Sequence, residues 1–177
     1  MGLDARVGEF FSMRMGSYSS IHAQRKKLIE LTIAYCKLKK EAEEKQKRES
    51  EDMQDSEADD AQWHDQIGWD LLITELERWG QGTGSICRIF DMPVNYVNVA
   101  STKDDPLVQA GLIGVKWFVL HSDSDGYWSP GQCTDMLALF RTLRSHGLVH
   151  EWLNDKRNDY FDLFKASIKH KTPVTFC

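Results

Sequence analysis

Hydrophobic positions change their period several times along the chain, and each change marks an element. Residues 3–13 (Leu-Asp-Ala-Arg-Val-Gly-Glu-Phe-Phe-Ser-Met) alternate loosely, which predicts a short strand. Gly16-Ser-Tyr-Ser-Ser20 breaks the alternation and offers a cap for a helix. From about 21 to 45, Leu28, Leu31, Tyr35, Leu38 and Ala42 recur at helical spacing, with Arg25, Lys26, Lys40 and Glu43 assigned to the opposite face. This seam is too brief for a coiled coil, so a core-facing helix is expected in preference to an oligomer seam. A second helix over about 59–79 rests on Trp63, Ile67, Leu71 or Leu72, Leu76 and Trp79, with Gln66, Asp70 and Glu77 turned outward. Gly80, Gly82 and Gly84 stop it.

Residues 85–104 fit no single period. Ile86 to Phe90 suits a helical turn or a short strand, Met92-Pro93 is a break, and Val94, Val97 and Val99 suggest extended chain. Asp104-Asp105-Pro106 supplies an acidic cap and a proline at the first helical position. Beyond it, Leu107, Ala110, Gly111, Gly114, Trp117 and Phe118 form one stripe, and Val108, Leu112, Val115 and Val119 another. An element apolar on both sides is buried, and Gly111 and Gly114 would let a neighbouring backbone approach closely. A strand over 115–120 is the competing reading. Ser129-Pro-Gly-Gln132 has the form of a capping box, followed by an inner face of Met136, Phe140, Leu143 and Leu137 or Leu139, and a stop at Gly147. A last helix over about 158–170 carries Tyr160 or Phe161, Phe164 and Ile168, and 173–177 reads as a strand beside the N-terminal one. The expected fold class is α+β, mainly helical: about five helices with a few short strands in a single domain over 1–177, with one helix–loop–helix corner at 106–145.

Composition agrees with a packed core: of 177 residues 41% are hydrophobic, including six tryptophans and eight phenylalanines. Charge changes the picture between 39 and 60, where Met53 is the one large apolar side chain left. Residues 37–48 are mainly basic, and 51–60 hold six acids and no base. The expectation is a solvated helix extension passing into a flexible, charged insertion at about 40–60. The 21–45 helix and the acidic 51–60 stretch are the candidate surfaces for a protein partner. A net charge of −5 and a pI near 5.7 give no basic field for nucleic acid. The apolar run 107–120, interrupted by Gln109 and Lys116, is too short and too polar to cross a bilayer. The opening Met-Gly-Leu-Asp-Ala-Arg has no signal-peptide core, and Arg6 stands where myristoylation wants Ser or Thr. Cys36, Cys87, Cys133 and Cys177 form no close pair and read as reduced thiols, so a cytoplasmic protein is expected.

Candidate chemistry gathers in His121-Ser-Asp-Ser-Asp-Gly-Tyr-Trp-Ser-Pro-Gly-Gln132. Written as a calcium loop, it places His121 at position 1, Asp123 at 3, Asp125 at 5, Gly126 at 6, Tyr127 at 7, Trp128 at 8, Ser129 at 9 and Gln132 at 12. Calcium wants a carboxylate first and a bidentate glutamate last, and both charges are missing here. The cofactor expectation is therefore none, or a calcium-type divalent cation held weakly, roughly millimolar, by Asp123, Asp125, Tyr127, Ser129 and Gln132. Equally, Asp123 and Asp125 can bond back to the local backbone as Asx-turns, with Gly126 turning the chain and no ion involved. Asp-x-Asp-Gly after an apolar run also has the form of a haloacid-dehalogenase-type nucleophile loop, which would give a small metal-dependent phosphoester hydrolase using Asp123 and Asp125 with His121 as acid or base. Tyr127 in place of threonine, and only 52 residues after Asp125, weigh against it. A zinc trio of His121, Asp123 and Cys133 is irregularly spaced. Gly80-Gln-Gly-Thr-Gly84 lacks the Lys-Ser/Thr of a phosphate loop and follows a helix where that motif needs a strand.

Four pieces together resemble an uncharacterised family of small bacterial and phage-type proteins: Met1-Gly-Leu-Asp4, Gly16-Ser-Tyr-Ser19, His121-Ser-Asp-Ser-Asp-Gly126 and Pro173-Val-Thr-Phe176. In that family the position of Ser124 is often cysteine and that of Gln132 often glutamate. The resemblance implies a shared small fold and brings no activity, substrate or cofactor. The functional expectation is a non-enzymatic structural or protein-interaction module with a degenerate EF-hand-like loop; the alternative is the hydrolase.

Overall fold

The computed structural model describes residues 2–51, 68–81, 103–120, 126–148 and 151–176. Among them are four strands and six helices, in the order β1 (Gly2–Val7), β2 (Phe11–Ser17), α1 (Tyr18–Glu51), α2 (Trp69–Gln81), α3 (Pro106–Gln109), α4 (Gly114–Leu120), β3 (Tyr127–Trp128), α5 (Pro130–Ser145), α6 (Glu151–His170) and β4 (Val174–Phe176). The fold is α+β and mainly helical, as the periodicity predicts.

The loosely alternating N-terminus is a hairpin of two strands where the sequence suggested one. Gly8, at φ +50°, turns the chain, Phe10 N donates to Val7 O at 2.9 Å, and Ala5, Val7, Met13 and Met15 point into the core. The register slips near the end of β2, where Leu3 faces Gly16 but Asp4 faces Arg14, leaving Met15 as a bulge. All strand pairs are antiparallel, in the order β2-β1-β4-β3. The C-terminal strand thus pairs with the N-terminal one, Ala5 facing Phe176. Phe10 stacks flat on His170 at 3.9 Å, resting the hairpin turn on the end of α6.

Ser17 begins α1 by accepting from Ser20 N at 3.3 Å. The helix has 34 residues, about 50 Å. Its inner half buries Ile21, Gln24, Arg25, Leu28, Ile29, Thr32, Tyr35 and Cys36, while Leu38 and Ala42 are exposed. The expected face is therefore rotated, and Arg25, assigned outward, is only 1% exposed. Helical spacing does place 25 with 21, 28 and 32; its charge, not its position, pointed outward. Around it Tyr160 donates its hydroxyl proton to Gln24 Oε1, and Gln24 Nε2 donates to Met15 O of the bulge at 3.1 Å. Burial holds the Tyr160 phenol well above its usual range, and the positive Arg25 beside it works the other way.

From Lys37 to Ser50 no residue of α1 is buried. The helix continues to Glu51, so residues 40–51 form the expected solvated helix extension. Good helix formers and the pairs Lys40–Glu44 (3.8 Å) and Lys45–Glu49 (3.7 Å) support it. The expectation for 52–60 lies outside the described residues. Antiparallel to α1 runs α2: Trp69 Nε1 donates to Glu43 at 2.7 Å, Lys40 pairs with Asp70 at 2.7 Å, and Gly80 sits against Ile29. Leu72, Leu76 and Trp79 are buried and Asp70 and Glu77 exposed, as the spacing predicts; residues 59–67 of that predicted helix lie outside the described residues.

The apolar run 107–120 is two short helices. Asp105 caps α3, its Oδ1 accepting from Leu107 N at 2.9 Å while Oδ2 holds Lys116 at 2.7 Å, and Pro106 takes the first helical position. Gly111, at φ +68°, then breaks the run, and α4 replaces the competing strand over 115–120. Gly114 is the close-approach residue: a Cβ there would lie 2.6 Å from Asp135 O of α5, whereas one at Gly111 would meet nothing within 4 Å.

Three helices end the same way. Leu112 N bonds to Leu107 O (2.7 Å), Leu148 N to Leu143 O (3.0 Å) and Thr172 N to Ser167 O (3.2 Å), each with the preceding residue left-handed. That residue is Gly111, Gly147 and, on α6, Lys171 at φ +52°. A side chain in this conformation costs about 1 kcal/mol. Lys171→Gly is accordingly expected to raise the thermal midpoint by a few degrees, about 1 kcal/mol; an unchanged or lower midpoint in a calorimetric scan would show that the turn carries no strain.

An aromatic cluster joins the layers. Phe118, Trp128, Phe140, Tyr160, Phe164 and Phe176 meet at centroid distances between 4.8 and 6.0 Å. No helix among the described residues is long and apolar enough to cross a membrane.

Candidate functional site

The expected helix–loop–helix corner is present as α4, a connection, the two-residue strand β3, and α5. Of the loop itself only residues 126–129 are described: His121, Asp123 and Asp125, which carry the hydrolase reading and the acidic part of the cation reading, lie outside the described residues. Gly126, at φ +154°, leads into β3 through a conformation reserved for glycine. Tyr127 and Trp128 pair with Thr175 and Val174 of β4, which pins the loop exit to the sheet. Tyr127 is exposed on the outer face, while the Trp128 ring is buried between Phe118, Phe164 and Phe176.

Trp128 also serves the helix before the loop. Its indole Nε1 donates to Trp117 O at 3.1 Å, one of the last carbonyls of α4, which have no partner within their own helix. Ser129 and Gln132 serve the helix after it. Ser129 Oγ accepts from Gln132 N at 3.2 Å, and Gln132 Oε1 accepts from Ser129 N at 2.9 Å, a reciprocal capping box with Pro130 at the first helical position. These two side chains occupy positions 9 and 12 of the calcium-loop alignment, and their oxygens are engaged with backbone amides. The two helices are locked to one another by Asp135, whose carboxylate accepts from Trp117 Nε1 at 2.9 Å and whose carbonyl lies over Gly114.

Cys133, the third residue of the conceivable zinc trio, is buried in the core next to Ser167. Burial pushes its thiol up to about 11, with the Ser167 hydrogen bond acting in the opposite sense. It is a protonated core thiol, as is Cys36, likewise pushed up to about 11 by burial. Among the described residues no three His, Cys, Asp or Glu side chains are grouped to hold a metal ion.

A second feature has no motif in the sequence. Between α5 and α6 lies a hollow of about 310 Å³ lined by Arg141, Arg144, Phe161, Asp162 and Lys165. Arg141 and Arg144 are exposed, and no carboxylate among the described residues pairs with either guanidinium. Asp162 and Lys165 face each other at 3.6 Å, and Lys165 lies over the Phe161 ring at 5.8 Å. Among the described residues three cations stand against one acid in this lining, a local positive patch on a chain of net charge −5. The readable signal was two arginines at i, i+3 on the polar face of α5; their neighbour from α6 depends on packing.

No family model, curated protein or solved structure matches this chain.

Proposed function

We propose that this chain is a non-enzymatic protein-interaction module and that its 121–132 loop is a structural corner, holding a divalent cation weakly if at all. One observation carries the reading: Ser129 and Gln132, which calcium would need as ligands, bond each other's backbone amides and start α5. An ion at those positions would compete with both bonds for the same two oxygens. The exposed end of α1, residues 41–50, supports the interaction part, since it carries many charges and no buried side chain.

Thermal unfolding in the presence of calcium, magnesium, manganese or zinc tests this. The midpoint is expected to stay unchanged with each ion, whereas Gln132→Ala lowers stability by about 1 kcal/mol with or without them. A rise of several degrees with one ion, lost in Asp123→Asn, would sink the reading and restore the metal site.

A further inference from the structure

We propose that the hollow between α5 and α6 docks an extended acidic segment of a partner protein, Arg141 and Arg144 each taking one carboxylate. The inference rests on the interaction-module reading and names the chemistry of its partner. The two arginines stand one helical turn apart, so their side chains leave the helix roughly 5 to 6 Å from each other. An extended peptide presents side chains on one face every 6 to 7 Å or so. Acids two residues apart on such a strand therefore match the two guanidinium groups, each of which can grip a carboxylate through two parallel hydrogen bonds.

The rest of the lining selects for spaced single charges over one concentrated charge. Asp162 already partly neutralises Lys165, and its carboxylate would face a phosphate dianion seated in the centre of the hollow. Phe161 contributes an aromatic wall against which the methylenes of a glutamate side chain can lie. Among the described residues neither arginine pairs with a carboxylate, so the docked acids would displace no ion pair seen there. Because the groups are exposed, the attraction is screened by salt within about 10 Å.

Fluorescence anisotropy of the full chain with a labelled peptide of alternating glutamates tests the proposal, with the alternating-glutamine peptide and inorganic phosphate as controls. The glutamate peptide is expected to bind, to weaken as salt rises, and to lose roughly tenfold or more in affinity for Arg141→Ala/Arg144→Ala. The double variant removes only exposed groups, so an unchanged unfolding midpoint shows that it is folded. Absence of binding, equal affinity of wild type and variant, equal binding of the glutamine peptide, or displacement by phosphate at the peptide's own concentration would each overturn it. Such a failure leaves the corner reading standing, because that reading is decided by the response of the midpoint to cations.

Discussion

Trp128→Ala is expected to destabilise the protein by about 4 kcal/mol, the largest effect of any single substitution proposed for this chain. The ring is 1% exposed and contacts Phe118 at 5.6 Å, Phe164 at 5.7 Å and Phe176 at 4.8 Å, so its removal opens a cavity where α4, α6 and β4 meet. Two losses add to the missing contacts. Trp117 O is left buried without its indole donor, and β3 loses the side chain that seats it beside β4. Trp128→Phe separates the terms: it retains most of the packing and removes the N–H, so a cost of about 1 to 2 kcal/mol is expected. Urea unfolding at neutral pH gives both values. A Trp128→Ala loss no larger than that of Trp128→Phe would mean that the loop exit is not anchored by packing.

Gly114→Ala should cost about 3 kcal/mol, although alanine is the better helix former. The added methyl would sit 2.6 Å from Asp135 O and 2.8 Å from both Asp135 C and Met136 Cα. All three are backbone atoms of α5, so no rotamer change can relieve the overlap; α4 and α5 must move apart. That movement would stretch the Trp117–Asp135 hydrogen bond and loosen the aromatic cluster around Phe118 and Phe140. Gly111→Ala is the control. Nothing lies within 4 Å of its Cβ position, and the penalty there is the left-handed backbone alone, about 1 kcal/mol. On thermal melts the two variants should be separated by several degrees, and equal midpoints would remove the close-packing argument.

Much of the fold was legible because it is written locally. Ser17, Asp105 with Pro106, and the Ser129–Gln132 box each act on amides within three residues, and Gly147 stops its helix through bonds to the turn it ends. The alternation near the two ends of the chain also gave strands that do pair. Sequence and structure part where a side chain's chemistry and its position on the helix disagree. Arg25 is a charged residue at an inward position, and Leu38 is an apolar residue where α1 has already left the core. The continuous apolar pattern of 107–120 predicts one element, yet Gly111 divides it by backbone conformation.

By itself, then, the order of residues determined which segments coil, which extend, and where most of them start and stop, since those choices depend on hydrogen bonds spanning a handful of residues. Only the tertiary structure decided that Gly114 rather than Gly111 receives a neighbouring backbone, that Trp128 closes the end of α4, and that Arg141 and Arg144 share a hollow with Lys165. Each of these depends on a partner brought from elsewhere in the chain. Periodicity in one segment carries no information about which side chain another segment will place opposite it.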